Sequence, residues 1–288
     1  MRRQGRRRFS SFIRAVVRSL RLRLVLSSAP PGLRFHFVEV AVLVAYLFAH
    51  STLSPRSQLF GPAFIHGDRK GDMVALTFDD GPNEPYTGQI LNILKARGVK
   101  ATFFVIGENA LQFPDAVRRE AAEGMEIGNH SYNHGSMVRA RNATIDWQIN
   151  QTQEVIQRLV GFEPIWFRPP HGFRDVRLFS KTRHDDLAVV EWSNMPRDWT
   201  RPGADVIVER TLRRLKPGDI ILLHDGDNVY VGGDRSQTVA ALPRIIDGIQ
   251  ARGLRCVTLS ELAARGGRGL RDYRRIEEKE EREPKGRP

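Results

Sequence analysis

From residue 73 onward, apolar strand-like runs alternate with segments of helical periodicity, and this alternation constrains the fold more than any other feature. It predicts seven strands, over residues 74–78, 102–106, 125–128, 165–167, 187–192, 219–223 and 254–258. Helices are predicted between them, over residues 86–97, 113–123, 145–159, 204–215 and 239–251. Strands that alternate with helices in this way indicate an α/β fold, with a mainly parallel sheet covered by helices.

Polar motifs follow several of these strands directly. Asp79 and Asp80 follow the first strand, His130 follows the third, Arg168 the fourth and His224 the sixth. In α/β barrels the active site lies at the carboxyl ends of the strands. We therefore expect these side chains to meet at one end of the sheet.

Two short segments contain a plausible metal-ligand set. Asp80 offers one carboxylate, and His130 and His134 are four residues apart, a spacing that on a helical turn would point both imidazoles the same way. One carboxylate and two imidazoles are a zinc set that leaves a coordination position open for water. Asp79 would then lie beside the metal as a candidate base. Taken singly, an Asp-Asp turn or a His pair is often structural.

The charge distribution argues against a nucleic-acid partner. The formal net charge is +12, but residues 1–34 contain ten Arg and no acidic residue. The rest of the chain carries 35 basic and 33 acidic side chains. The basic character thus belongs to an N-terminal arm, and neither an RNA-type aromatic motif nor a zinc-finger cysteine pattern accompanies it.

An apolar segment over residues 35–53 follows the arm. Only a few polar residues interrupt it, among them His36 and Glu39, so it approaches the length of a membrane-spanning helix. Arginines before such a segment predict a cytoplasmic arm, with the remaining chain outside the cytoplasm. Three interpretations stay open: an uncleaved signal anchor, which we favour, a cleavable signal peptide, and a core or interfacial helix.

Composition divides the remainder of the chain. Residues 54–71 are rich in Ser, Pro and Gly and are predicted to be a linker, and residues 72–263 form the predicted catalytic domain. The charged stretch 264–288 is predicted to be a disordered tail. The chain's one cysteine, Cys256, excludes an intramolecular disulfide and is predicted to be a buried, inert thiol in the last strand.

Five motifs in order resemble the polysaccharide deacetylase family, carbohydrate esterase family 4, which is also called the NodB homology domain. The resemblance covers residues 72–263. The motifs are Thr77-Phe78-Asp79-Asp80-Gly81-Pro82, His130-Ser131-Tyr132-Asn133-His134, Arg168-Pro169-Pro170-His171-Gly172, residues 192–199 with Asp198-Trp199, and Ile221-Leu222-Leu223-His224-Asp225. The resemblance implies an irregular (β/α) barrel with about seven parallel strands as a single catalytic domain.

The resemblance also implies a role for each motif residue. The metal ligands are Asp80, His130 and His134. The implied catalytic residues are Asp79 as base, Arg168 as its partner, and His224 as acid. The implied roles of the remaining motif residues are substrate or oxyanion binding near His171 and support from Asp198 and Trp199. The implied cofactor is a divalent metal, most often zinc, with Co²⁺, Ni²⁺ or Mn²⁺ as alternatives.

One position departs from the family pattern. Active members usually carry an Asp three residues before the Asp of the Asp-Trp pair, where it helps to orient the catalytic histidine. This chain has Met195 there, which cannot accept a strong hydrogen bond from an imidazole. Met195 therefore leaves the protonation of His224 and the catalytic rate open, with Asn194 and Asp225 as candidate substitutes for the missing carboxylate.

These inferences lead to three functional hypotheses. The first is a metal-dependent N-deacetylase acting on GlcNAc- or MurNAc-containing glycan, such as peptidoglycan or a chitin-like polymer. The second, motivated by Met195, is a non-catalytic glycan-binding protein of the same fold. The third is an O-acetyl esterase acting on a polysaccharide. In each case we expect an acetylated glycan partner, membrane attachment or secretion through the N-terminal segment, no nucleic-acid partner, and a monomer.

Overall fold

The computed structural model describes residues 31–230 and 232–282. The chain divides into two compact units, residues 1–50 and residues 51–288. Most of the predicted basic arm lies outside the described residues, and its last four residues begin helix α1, Pro31–Leu53. Among the residues described, no helix combines the length and the apolar character that crossing a membrane requires.

The second unit has the predicted alternation of strands and helices. Its strands are β1 (His66–Gly67), β2 (Met73–Gly81), β3 (Thr102–Val105), β4 (Glu126–Asn129), β5 (Trp166–Phe167), β6 (Ala188–Val189), β7 (Ile220–His224), β8 (Arg255–Val257) and β9 (Gly267–Arg268). Its helices are α2 (Tyr86–Arg97), α3 (Gly107–Gln112), α4 (Pro114–Ala122), α5 (Asn142–Val160), α6 (Val176–His184), α7 (Ala204–Arg213), α8 (Ser236–Gln250), α9 (Leu259–Ala264) and α10 (Arg271–Arg282).

Seven of the strands form one curled parallel sheet, an open half-barrel. The order is β6-β5-β4-β3-β2-β7, and β8 also pairs with β2. The predicted fold class is confirmed, and each of the seven predicted strands has a counterpart. The least accurate boundary is that of the strand predicted over 187–192, which is only two residues long in β6.

Strand β2 separates two cores because its side chains alternate between faces. Val74, Leu76 and Phe78 pack outward into the cluster formed with the covering helices. Met73 and Ala75 point the other way, into a second cluster inside the half-barrel. The inner row leads through the fully buried positions of β2 to its carboxyl end, where the catalytic candidates lie.

The linker prediction for residues 54–71 is wrong. Ala63, Phe64 and Ile65 are buried, and residues 66–67 form β1, which pairs antiparallel with β9. The Phe64 amide donates to the carbonyl of Val189 at 2.8 Å, so the segment lies along the sheet edge at β6. The segment packs through its few apolar residues. Its high Ser, Pro and Gly content hid this packing from a prediction based on composition.

The disorder prediction for the tail is wrong for residues 264–282, while residues 283–288 lie outside the described chain. Leu270, Tyr273 and Ile276 recur every three residues and are buried in the inner core. The Tyr273 ring stacks on that of Trp166, with centroids 4.8 Å apart. Three apolar residues, one just before an otherwise charged helix and two within it, suffice here because they cover an open part of the half-barrel. Cys256 lies buried in β8 as predicted, and burial raises the pKa of its thiol to about 12.

Candidate active site

A bulge at the end of β2 brings both aspartates to one place. Neighbouring residues of a regular strand point to opposite faces, so Asp79 would continue the inner row and Asp80 would point toward the helices. The register with β3 shifts between Asp79 and Gly81, and Asp80 has a φ of 72°, in the left-handed region. This local distortion breaks the alternation, and both carboxylates line the same cavity.

Asp80, His130 and His134 lie close enough to share one metal ion. The Asp80 Oδ1 atom is 3.3 Å from His130 Nε2 and 3.2 Å from His134 Nε2. One ligand atom from each of the three residues lies within 4.8 Å of the others. The prediction that these residues meet is therefore confirmed.

The contacts around this triad fit a cation. His130 Nδ1 is 2.7 Å from the Arg168 carbonyl, so it carries the proton and leaves the lone pair on Nε2. The Asn228 amide donates to Asp80 Oδ2 at 3.1 Å, while the buried Oδ1 has no hydrogen-bond partner in the described chain. Burial acts to raise the pKa of Asp80, but the neighbouring imidazoles of His130, His134 and His224 hold it far below its usual range.

The two metal-ligand histidines lie in a loop, which corrects the predicted helical turn. The loop follows β4, and His134 has a φ of 59°. Helix α5 fixes the loop through Gln148, whose Oε1 accepts from the Tyr132 amide at 2.9 Å and the Asn133 amide at 3.0 Å. Gln148 Nε2 also donates to the Asn133 side chain.

Arg168 pairs with Asp79 as predicted. Its Nη1 donates to Asp79 Oδ1 at 2.7 Å and to Thr77 Oγ1 at 2.8 Å, and the guanidinium is fully buried. The guanidinium carbon also lies 4.1 Å from the centroid of the Phe104 ring. Asp79 Oδ2 is left facing His130, 3.8 Å from Nε2. One oxygen of Asp79 is thus fixed and the other faces the metal-ligand cluster.

His224 has a carboxylate partner after all, and it is Asp198. Asp198 Oδ1 lies 2.9 Å from His224 Nδ1, and Oδ2 accepts from the His224 amide at 2.8 Å. Thr238 donates a further hydrogen bond to Oδ2 at 3.0 Å. The Asp of the Asp-Trp pair therefore supplies the carboxylate whose source the Met195 departure left open.

The substitutes suggested by the sequence have other partners. The Asn194 side chain donates to the Thr211 carbonyl at 3.0 Å. The Asp225 carboxylate accepts from the Thr87 hydroxyl at 2.6 Å, beneath the site. Met195 itself lies on the cavity wall with 37% of its surface exposed.

The cavity of about 280 Å³ combines the polar residues with an apolar wall. His171 lies at the rim, with its ring centroid 4.6 Å from that of His134 and a φ of 60°. Trp192, Trp199 and Leu222 also line the cavity. Trp199 has 37% of its surface exposed, and its ring lies edge-on to His224.

Comparison with known proteins places this geometry in a family. Residues 66–190 match the polysaccharide deacetylase family. A peptidoglycan-N-acetylglucosamine deacetylase of Bacillus cereus is 40% identical over 192 residues, which cover 66% of this chain and 87% of that protein. The chain belongs to the polysaccharide deacetylase family. A chitooligosaccharide deacetylase of Rhizobium leguminosarum bv. trifolii is also 40% identical, over 62% of this chain and 86% of that one.

A solved structure supports the same assignment. The crystal structure of a peptidoglycan N-acetylglucosamine deacetylase bound to 4-naphthalen-1-yl-N-oxidanyl-benzamide matches with a TM-score of 0.66 and 38% identity, over 71% of this chain and 94% of that chain. A pseudoenzyme of carbohydrate esterase family 4 from Bacillus anthracis matches with a TM-score of 0.63 and 30% identity, over 69% and 67% of the two chains. The family and its named deacetylase relatives support an amide hydrolase, and both solved structures share the fold.

Three residues of the deacetylase site were not predicted from the sequence. Asn228 holds Asp80 through its backbone amide, Gln148 fixes the histidine loop, and Thr238 supports Asp198. Only Gln148 left a trace in the sequence, because it is a polar residue on the apolar face of α5. A backbone amide leaves no such trace.

Proposed function

We propose that this deacetylase removes N-acetyl groups from GlcNAc- or MurNAc-containing polysaccharide with the help of a divalent metal. The proposal rests chiefly on one observation: Asp79 and His224 are register partners on adjacent strands, and both line the cavity that holds the metal-ligand triad. A base and an acid therefore lie on either side of the position that a scissile amide would take. The named substrates of the relatives are peptidoglycan and chitooligosaccharide.

Asp80, His130 and His134 would hold the metal. Two neutral imidazoles and one carboxylate suit zinc first, with cobalt, nickel or manganese as alternatives. When bound, such an ion polarises the carbonyl and lowers the pKa of water. An acetamide needs this assistance because its carbonyl is a weak electrophile.

The residues around the triad would move the protons. Asp79 takes the proton from the attacking water, and Arg168 holds its carboxylate in place for this step. A backbone amide near His171 would stabilise the oxyanion. His224 then donates its proton to the departing sugar nitrogen, and Asp198 stabilises the charged imidazole until that transfer.

The binding-only alternative is disfavoured by the completeness of the site. The base with its arginine and the acid with its carboxylate are all present and in contact. The Bacillus anthracis pseudoenzyme shows that the fold does not by itself ensure turnover, so activity has to be measured. Comparing N-acetyl with O-acetyl substrates would separate the deacetylase from an esterase.

The test is acetate release from N-acetylated chitooligosaccharide and from peptidoglycan by the full chain. The protein is first stripped with a chelator and then reloaded with zinc. We expect turnover only after reloading. Absence of acetate from every substrate in a folded, zinc-loaded protein would contradict the proposal, and release only from O-acetylated xylan would favour the esterase.

We also propose that the catalytic unit acts outside the cytoplasm, either membrane-attached or secreted. The support is the arginine-rich arm followed by an apolar helix on which Val38, Val42 and Val44 are each more than half exposed. Cell fractionation with a tagged chain tests this location. Recovery of the full-length chain in the cytoplasmic fraction alone would contradict it.

A further inference from the structure

The segment that precedes the family-matched region is built into the catalytic unit. We call residues 51–61 the lead-in segment; they lie before residue 66, where the family match begins. Ser51 and Thr52 are buried, and the Gln58 side chain exchanges two hydrogen bonds with the backbone of Ala63. Gly61 packs so tightly on Phe179 that an added Cβ would lie 2.3 Å from the ring. The lead-in segment is therefore a fixed part of the packing.

Arg174 ties the lead-in segment to the loop that carries His171. Its Nη2 donates to the carbonyls of Ser54 at 2.6 Å and Ser57 at 3.0 Å. Its backbone amide donates to the Thr52 carbonyl at 3.3 Å. Its Nη1 donates to the Gly172 carbonyl at 2.9 Å, one residue after His171.

The same guanidinium also contacts a third segment, the one that contains Glu191 and Trp192. Arg174 Nη1 is 2.9 Å from Glu191 Oε1, and the side chains of both residues are almost completely buried. Glu191 directly precedes Trp192, which lines the cavity. Gly172 packs between these residues, since an added Cβ would lie 2.7 Å from Trp192 and 2.9 Å from Glu191 Oε2.

A buried guanidinium with this many acceptors makes the three segments interdependent. If Arg174 were removed, a buried carboxylate and three backbone carbonyls would lose their donor, and each buried unpaired group is costly. The loop could recover hydration only by moving outward. Because His171 has a φ of 60° and Gly172 a φ of 70°, the packing around them has to maintain this backbone conformation.

We propose that Arg174 is a positioning residue for the substrate rim, and that the lead-in segment is a functional part of the active site. Arg174 holds His171 and Trp192 in place through Gly172 and Glu191, and the lead-in segment supplies two further acceptors that fix Arg174 itself. This inference rests on the proposed deacetylase function. It adds to that function a dependence of turnover on residues that precede the family-matched region.

The first test compares Arg174→Gln with Arg174→Lys in the full, zinc-loaded chain. We expect Arg174→Gln to lower kcat/KM between about 10- and 100-fold, because small displacements of binding groups are costly. The zinc dissociation constant should stay unchanged, since Arg174 contacts none of the three ligands. Lysine restores a charge for Glu191 but cannot reach all four acceptors, so it should rescue only part of the loss. Full rescue by lysine would mean that Arg174 only balances the charge of Glu191, and it would overturn the proposal.

A matched control is Arg69→Gln. Arg69 likewise donates to one carboxylate, Asp219 at 2.6 Å, and to one carbonyl, that of Pro217 at 2.8 Å. These contacts lie before the amino end of β7, and none of the three residues lines the cavity. We expect a loss of thermal stability with kcat/KM within about twofold of the unmodified chain. An equal loss of kcat/KM in both variants would indicate general destabilisation and would overturn the positioning role.

The second test has a readout that does not depend on activity. Gly61→Val would push the lead-in segment off Phe179 without touching any rim residue. Hydrogen exchange in residues 168–175 should then accelerate, as it should in Arg174→Gln, while exchange in residues 126–134 stays unchanged. Unchanged exchange in residues 168–175 would overturn the coupling. If the unmodified chain released no acetate, the proposed function would fail, but these exchange measurements would still decide the coupling.

Discussion

Two histidines that line the same cavity, His134 and His224, have their pKa values shifted in opposite directions. Burial lowers the pKa of His134 to about 3, and the neighbouring His130 and His171 act in the same direction against Asp80. Burial also acts to lower the pKa of His224, but the charge of Asp198 and its hydrogen bond outweigh burial and raise this pKa to about 9.

The difference shows how one residue type serves two purposes in one cavity. A metal ligand has to present a lone pair, so a depressed pKa suits His134. A general acid has to carry a proton at neutral pH, so a raised pKa suits His224. The deciding neighbour of His224 is the Asp198 carboxylate bound to its Nδ1, whereas Asp80 also raises the pKa of His134 but does not offset burial and the neighbouring imidazoles.

The largest expected effect comes from removing Asp79, the proposed base. Asp79→Asn keeps the shape but removes the proton acceptor, and we expect kcat to fall by at least about 10³-fold. Zinc stoichiometry should stay at one per chain, because Asp79 is not part of the triad. The measurement is acetate release, with zinc determined on the same sample. A rate unaffected by the substitution would sink the assignment of the base.

Asp146→Asn serves as the matched control for this change. Asp146 is a half-exposed carboxylate on α5 that is not among the residues lining the cavity. We expect its rate to equal that of the unmodified chain. A similar loss in both variants would mean that acidic residues matter only through overall charge.

The next largest effect is expected from removing Asp198, the carboxylate that raises the pKa of His224 above that of His134. Asp198→Asn should lower kcat about 100-fold at neutral pH, because the pKa of His224 falls and less of it is protonated. In the unmodified chain, activity should decline as pH rises through about 9. In the variant this alkaline decline should move to lower pH. A pH–rate profile with an unmoved alkaline limb would contradict the role of Asp198.

Stability should follow the same linkage. The pKa of His224 in the folded chain, about 9, lies above its ordinary value of 6.5. Its contribution to stability is therefore fully present below pH 6.5 and is lost as pH rises through 9. Thermal melts of Asp198→Asn should show a weaker decline over this range than melts of the unmodified chain.

The sequence located the polar motifs because each follows an apolar strand, and the strand ends had to meet. Asp79, Asp80, His130 and His224 are therefore where the alternation placed them. The predictions that failed concerned local backbone conformation and partners that are distant in the sequence. The left-handed Asp80 and His134 depend on surrounding packing that no short window contains. The Asp198–His224 pair joins residues 26 positions apart, and only the folded chain shows which Asp is the partner.

The ends of the domain were misjudged for a different reason. Composition marked residues 54–71 and 264–288 as unstructured, yet Phe64 and Tyr273 are buried in the same inner core. A few apolar residues suffice when the half-barrel already offers an open apolar surface. A sequence window shows how many apolar residues a segment contains. It does not show how much apolar surface of the half-barrel those residues can cover.

A smaller effect is expected at the metal ligands alone. Gln148→Ala removes both acceptor contacts that fix the loop between His130 and His134, and we expect zinc affinity to fall about 10-fold. The pH–rate profile of the zinc-saturated variant should keep its alkaline limb, because His224 is not part of the metal-ligand triad. Gln148→Glu retains the acceptor oxygen and should recover most of the affinity. Unchanged zinc affinity in Gln148→Ala would show that the loop keeps its conformation without Gln148.

The smallest effect is expected at the position that departs from the family pattern. Because Asp198 already bonds both His224 Nδ1 and its backbone amide, Met195→Asp would not supply a partner that Nδ1 lacks. We expect kcat to change by less than about threefold, or roughly 0.65 kcal/mol. Any change should appear in KM, since Met195 lies on the exposed cavity wall beside Trp199. A tenfold gain in kcat would mean that Met195 does handicap the acid, and that the Asp198 contact orients His224 without fully activating it.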